Sequence, residues 1–219
     1  MGREGVELMS LGARVQDVLY KVDRLPGNGE LSVIKNVGVR EGGVAANFAV
    51  AFSHLGGRAG IITVLGRDEV GRWLLSRLKE EGVDCSRVIV RDVRSLRLHI
   101  FEDFSLRRVF FVENMKTLSM TLDEIDMGYV STASMLFTDL FLGKTAVKAI
   151  EKVKEVGLKV SIVIPHGLSV MGPWGLGKED ALRAMELADL VATSVLLRLI
   201  TSAKRTLGDF WKRSRLAQK

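Results

Sequence analysis

Glu41-Gly42-Gly43-Val44-Ala45-Ala46-Asn47-Phe48-Ala49 sets two adjacent glycines at the entry to a run of small residues. With no Cβ at either position, the main chain tolerates conformations and contacts that a side chain forbids, so a ligand or another strand can lie against it. Residues 44–55 are helix-compatible, their alanines permit close packing on a sheet, and Gly56-Gly57 ends the run. Asn47, one turn in, is the only strongly polar side chain near its start. On these residues alone the plainer reading is turn punctuation followed by a solvated or capping Asn.

The following residues change that reading. Residues 59–66 form an apolar run short enough for a buried strand, and Arg67-Asp68-Glu69-Val70-Gly71 opens an amphipathic helix over 69–81. That helix sets Val70, Trp73, Leu74 and Leu78 on one face, with Asp68 as N-cap and Gly82 as its stop. In order, the chain therefore carries Gly42-Gly43, Asn47, Leu55-Gly56-Gly57 and Gly66-x-Asp68-x-x-Gly71. This series resembles the first signature of the ribokinase-like (PfkB) carbohydrate kinases.

At 219 residues, 47% hydrophobic and 26% charged, the chain has ordinary globular usage and the length for one α/β domain with a sizeable core. The net charge of +6 suits anionic ligands such as nucleotides, but the basic residues are dispersed until the C-terminus and aromatics are only 6%, which argues against nucleic acid. One cysteine, Cys85, excludes an internal disulfide, and three scattered histidines offer no metal-ligand spacing. There is no apolar signal region at the start, no myristoylation pattern and no run of membrane-spanning length. The expectation is a soluble, cytoplasmic protein.

Strand and helix alternate along the chain: strands over 6–12, 59–66, 134–139, 158–164 and 190–193, and helices over 44–55, 69–81, 144–156 and 178–188, with a capping box at Thr121-Leu122-Asp123-Glu124. The fold class is α/β, a doubly wound and mostly parallel sheet. Residues 18–25 and 31–39, joined through Pro26-Gly27-Asn28-Gly29, alternate as a hairpin, and so do 96–101 and 107–112. Two arrangements are open for these strands: extension of the main sheet, or a small separate one. The second resembles the family's β lid (about 18–40 and 96–112), which covers the sugar and supplies a homodimer interface.

The resemblance implies site residues. Asp17, five residues after Gly12, matches the family's aspartate that binds sugar or nucleoside hydroxyls. A carboxylate suits this because it accepts from two vicinal hydroxyls at once. Gly42, Gly43 and Asn47 would hold the same ligand, and Asp139 falls where the family sets a strand-end group near the sugar. ATP and Mg²⁺ are the implied cofactors and a small sugar or nucleoside the implied partner. Gly143-Lys144-Thr145 is not a P-loop, because Thr138 stands where its first glycine belongs. The clustered glycines over 172–177 likewise lack a dinucleotide context.

Several family patterns are missing. Ile164-Pro165-His166-Gly167 replaces an Asp-x-Asn-x-Arg motif, with His166 read as a loop residue; Ser194-Val195-Leu196-Leu197 aligns with Asn-x-x-Glu. The Gly-Ala-Gly-Asp motif, whose Asp is the family's general base, does not occur, and Asp209 in Gly208-Asp209 is only a weak substitute. Residues 194–219 read as a divergent basic tail after a ribokinase-like unit over 1–193, as though the family's C-terminal third had been lost. The expectation is a carbohydrate kinase by resemblance, truncated and weakly active or inactive alone; the alternative is a non-catalytic sugar-binding remnant or interaction module. A missing general base by itself costs about a hundred- to ten-thousandfold in rate.

Overall fold

Strand β1 (Leu8–Leu11) is buried along its whole length, and the elements are layered around it. The computed structural model describes residues 5–193. β1 lies between β4 (Ala59–Ile62) and β9 (Met135–Thr138), and β10 (Lys159–Ile164) and β11 (Leu190–Thr193) continue the sheet beyond β9. Every neighbouring pair in this five-stranded sheet is parallel. Side chains alternate across it, so the two faces of β1 serve different helices.

Leu8 and Ser10 face α1 (Val44–His54), whose Ala45, Ala46 and Ala49 are buried against Leu8, Ile61 and Phe137. The small residues bring this helix so close that the Ser10 hydroxyl donates to the Ala45 carbonyl at 2.6 Å. Phe48 stacks on Phe137 with ring centroids 3.8 Å apart. On the opposite face Met9, Leu11 and Leu136 pack with Ala146, Ile150 and Val153 of α4 (Lys144–Glu155), flanked by α6 (Lys178–Leu187). Full burial of each large aliphatic side chain contributes about 1.5–3 kcal/mol, so these two interfaces dominate the favourable side of folding.

The two hairpin-like regions form a separate sheet in the order β3 (Ile34–Gly42), β2 (Val15–Val22), β7 (Arg97–Glu102), β8 (Arg108–Glu113). β2 and β7 pair in parallel and the outer pairs antiparallel. The lid is therefore distinct from the main sheet, and the open choice between the two arrangements closes. Its strands start and stop differently from the sequence pattern. β2 already begins at Val15 and includes Asp17, and β3 runs on through Gly42.

The apolar run 59–66 is not one strand, as its hydrophobicity suggested. It breaks at Thr63, after which β5 (Val64–Gly66) leaves the central sheet to pair with β6 (Ile89–Arg91), a strand the sequence did not disclose. α2 (Glu69–Glu80) follows, capped by Asp68, which accepts from the Gly71 N–H at 2.8 Å. The same carboxylate accepts from the Ser95 N–H at 2.9 Å and hydroxyl at 2.6 Å, tying the helix to the start of the lid strand β7. The glycines of Gly66-x-Asp68-x-x-Gly71 serve this joint: a Cβ on Gly71 would come within 2.0 Å of the Gly66 carbonyl. The capping-box region forms a 3₁₀ turn (Leu122–Glu124), and α3 (Met127–Val130) and α5 (Leu168–Met171) are single turns.

Candidate functional site

The carboxyl ends of β1 and β9 and the N-terminus of α1 meet at one corner, as a parallel sheet requires. Gly43, between β3 and α1, has φ +101° and passes so close to the loop after β1 that a Cβ there would lie 2.3 Å from the Ala13 carbonyl oxygen. Only glycine satisfies both the conformation and the contact. Gly42 serves a different contact. A Cβ on it would sit 2.3 Å from Asp17 Oδ2, so the Asp17 carboxylate lies directly over this glycine. Asp17 Oδ1 is buried and has no hydrogen-bond partner among the described residues. Burial pushes the Asp17 carboxyl up to about 6, with the nearby Arg14 guanidinium acting the other way. Arg14 is itself only 2% exposed.

Asp139 departs from the expectation of a ligand-facing group. It is wholly buried, and its carboxylate accepts from the backbone N–H groups of Ala13 (3.0 Å), Ala45 (3.1 Å) and Phe141 (3.1 Å). These bonds fasten the end of β1, the first turn of α1 and the loop after β9 to one point, beneath the cavity and not in its wall. Burial pushes its carboxyl up to about 6 against the opposite pull of those N–H groups.

Above the corner a cavity of about 650 Å³ separates the lid from the sheet. Asp17, Gly43 and Asn47 line one side of it, which brings three of the expected residues together, with Gly42 behind Asp17. Asn47 is exposed on the first turn of α1. The rest of the lining was not foreseen: Arg97 from β7, Phe110 from β8, Phe141 from the loop after β9, and His166 and Trp174 from the segment after β10. The His166 ring lies 6.2 Å from both Phe110 and Phe141, and Phe141 lies 5.2 Å edge-on to Trp174. Burial pushes the His166 pKa below its usual value, so the ring is neutral at pH 7. Phe110 fell within the strand pattern 107–112 and His166 read as a loop residue, so nothing local marked these residues as one wall. Asp209 and the 194–197 segment lie outside the described residues.

Residues 7–194 match the family model described as pfkB family carbohydrate kinase. An uncharacterised sugar kinase of Pyrococcus horikoshii is 28% identical over 178 residues, 76% of this chain and 56% of that protein. A 5-dehydro-2-deoxygluconokinase of Shouchella clausii is 31% identical over 129 residues, 54% of this chain and 40% of that protein. This chain thus spans about half the length of the curated relatives it matches. Among solved structures, a fructokinase of Xylella fastidiosa superposes with a TM-score of 0.69 at 20% identity, over 84% of this chain and 58% of that one. A nucleoside kinase of Methanocaldococcus jannaschii gives 0.68 at 18% identity, over 86% and 61%.

Proposed function

The chain belongs to the pfkB family of carbohydrate kinases, and on that premise we propose that the cavity under the lid is the acceptor site of an ATP-dependent phosphoryl transfer to a sugar hydroxyl. The observation that carries this reading is the Asp17 carboxylate at the cavity's polar side, beside Asn47, with one buried oxygen left unpaired. With a pKa near 6 it is ionised at neutral pH and accepts from two vicinal hydroxyls with charge-assisted strength. The Asn47 amide both donates and accepts, which suits a third hydroxyl. Gly42 and Gly43 let carboxylate and ligand approach the backbone, and Asp139 holds the corner rigid from below.

ATP would supply the phosphoryl group and Mg²⁺ would neutralise its charge. No three His, Cys, Asp or Glu side chains converge among the described residues. Residues 5–193 serve the acceptor side through Asp17 and Asn47, and no step is routed through the ion. Removal of the hydroxyl proton falls to a group outside them, for which Asp209 is the sequence's candidate.

The outer face of the lid suits a second copy of the chain. Val37, Val39 and Phe111 are 51%, 53% and 59% exposed there, beside Tyr20 stacked on Phe101 at 4.4 Å. Such a face is normally covered in a stable protein.

The test is calorimetric titration with a panel of sugars and nucleosides beside an ATP-coupled assay. At least one compound binds the wild-type chain, and Asp17→Asn weakens it about tenfold to a hundredfold, the range for a hydrogen bond to a charged group. Binding with slow or no turnover fits the acceptor side alone, and rapid turnover would contradict the expected weakness. Failure of the whole panel to bind would refute the reading.

A further inference from the structure

Resting on that acceptor site, we infer that Arg14 is the positioning residue of Asp17. It is the inner link in an alternating run of charges, Arg77, Glu41, Arg14 and Asp17, that leads from α2 through the base of the lid to the acceptor carboxylate.

Arg14 follows Ala13 in the loop after β1 and is only 2% exposed. Its Nε is buried with no hydrogen-bond partner among the described residues, and the same holds for Asp17 Oδ1. A guanidinium buried in this state costs free energy, and an apolar side chain of similar size would fill the space without that cost. Packing therefore does not call for a cation here, whereas the two carboxylates beside it do. Arg14 is not part of the cavity lining, so it reaches a ligand through Asp17.

The double glycine brings the parts together. A Cβ on Gly43 would lie 2.9 Å from the Arg14 Cα, and one on Gly42 would lie 2.3 Å from Asp17 Oδ2. Glu41, the residue before them on β3, stands opposite Gln16 in the lid sheet, and its Oε1 accepts from Arg77 Nε of α2 at 2.5 Å. Arg14 thus lies where Glu41 and Asp17 attract it and Arg77 repels it, while the neighbouring Cys85 thiol, pushed up to about 11 by burial, is uncharged. Burial lowers the Arg14 pKa from its usual value, yet an arginine stays ionised at neutral pH. The other ionisable side chains around Asp17 are Arg40 opposite it on β3, Arg97 on β7, His166 across the cavity and Asp139 beneath it. Among the described residues, Arg14 is the charge that opposes burial at Asp17.

One cation is therefore divided between two anions. By holding Glu41, Arg77 releases Arg14 toward Asp17, and the base of the lid bears on how readily Asp17 stays ionised to accept hydroxyls.

The experiment follows the Asp17 carboxyl by carbon-13 NMR of the full chain labelled at aspartate, over about pH 4 to 9, with Asp17→Asn identifying its resonance. The wild-type midpoint is expected near 6. Arg14→Met should raise it by about one unit, and Arg14→Lys should leave it within about half a unit, the scale set by a neighbouring charge. Glu41→Gln should lower the midpoint and Arg77→Gln should raise it, each by about half a unit. These two side chains are 29% and 40% exposed, so both variants are expected to fold. The decisive arm repeats the two substitutions in the Arg14→Met background, where each shift should shrink to about 0.2 unit or less because the link is gone. Arg14→Gln is the second neutral background should the methionine variant not fold. A midpoint unmoved by loss of Arg14, or Glu41→Gln and Arg77→Gln shifts that persist without it, would overturn the inference. No ligand enters this titration, so the inference can fail while the acceptor site stands. A sugar and nucleoside panel that fails to bind removes the acceptor site, and the positioning role with it, whatever the midpoints.

Discussion

Asp17 combines a buried, unpaired oxygen with a carboxyl pushed up to about 6 by burial. The ionised form is the better acceptor, so ligand affinity should hold steady above pH 7 and fall below about pH 6, by up to tenfold per unit. Calorimetry from pH 5 to 8 checks this, with Asp17→Asn giving a flat profile. Because Arg14 pulls the Asp17 pKa down, Arg14→Met should move the midpoint upward. Gly42→Ala separates fold from site: φ is not in the left-handed region at Gly42, and the three atoms nearest the new methyl all belong to the Asp17 carboxylate. The variant should fold with a nearly unchanged Tm yet lose most of its affinity. At Asp139 the folded pKa of about 6 exceeds the ordinary 3.8, so its protonated form is favoured by folding. That contribution, about 3 kcal/mol at 1.36 kcal/mol per unit, is fully present below about pH 3.8 and lost as pH rises through 6. Denaturation of wild type and Asp139→Asn between pH 4 and 7 should therefore show the slope in the former and less of it in the latter. The roles of Asp17 and the double glycine could be suspected from residue type and spacing, but that of Asp139 could not. Whether a strand-end carboxylate faces a ligand or a ring of backbone N–H groups is decided by three segments remote from it in sequence.

At the scale of elements, the Asp68 carboxylate joins α2 to the first residues of the lid. Burial acts upward on its pKa, and the hydrogen bonds from Ser95 and Gly71 outweigh it and hold the group below its usual value. Asp68→Ala removes three accepted hydrogen bonds, one of them the helix cap, so a loss of about 2–4 kcal/mol is expected from denaturant titration. Hydrogen exchange should rise first in β7 if the joint also fastens the lid. The elements with strong periodicity were readable in advance: α1, α2, α4 and α6 fall within two residues of their patterns, and the lid strands alternate as hairpins do. β6 was not, because three residues carry too little pattern to mark a strand. The break at Thr63 was hidden for another reason. Hydrophobicity is continuous across it, and only the pairing partner changes, from β1 to β6. The turn around α5 that brings Trp174 to the cavity is likewise fixed by packing against the loop after β9, where Trp174 meets Phe141.

At the scale of the whole molecule, two buried helix–sheet interfaces fix a rigid corner, and a four-stranded lid closes over it. One face of that lid serves the cavity and the other is left with exposed valines and Phe111. If a second copy covers the outer face, Phe111→Lys should shift the chain toward monomer in sedimentation analysis at micromolar concentration, while an unchanged sedimentation coefficient would remove the lid from the interface. The central claim is that ligand is held between lid and corner by Asp17. Its most direct test is a crystal structure with whichever acceptor raises the Tm most. The account predicts electron density in the cavity, with hydroxyls within hydrogen-bond distance of Asp17 Oδ1 and the Asn47 amide. Density at another surface, with Asp17 still unpaired, would contradict it.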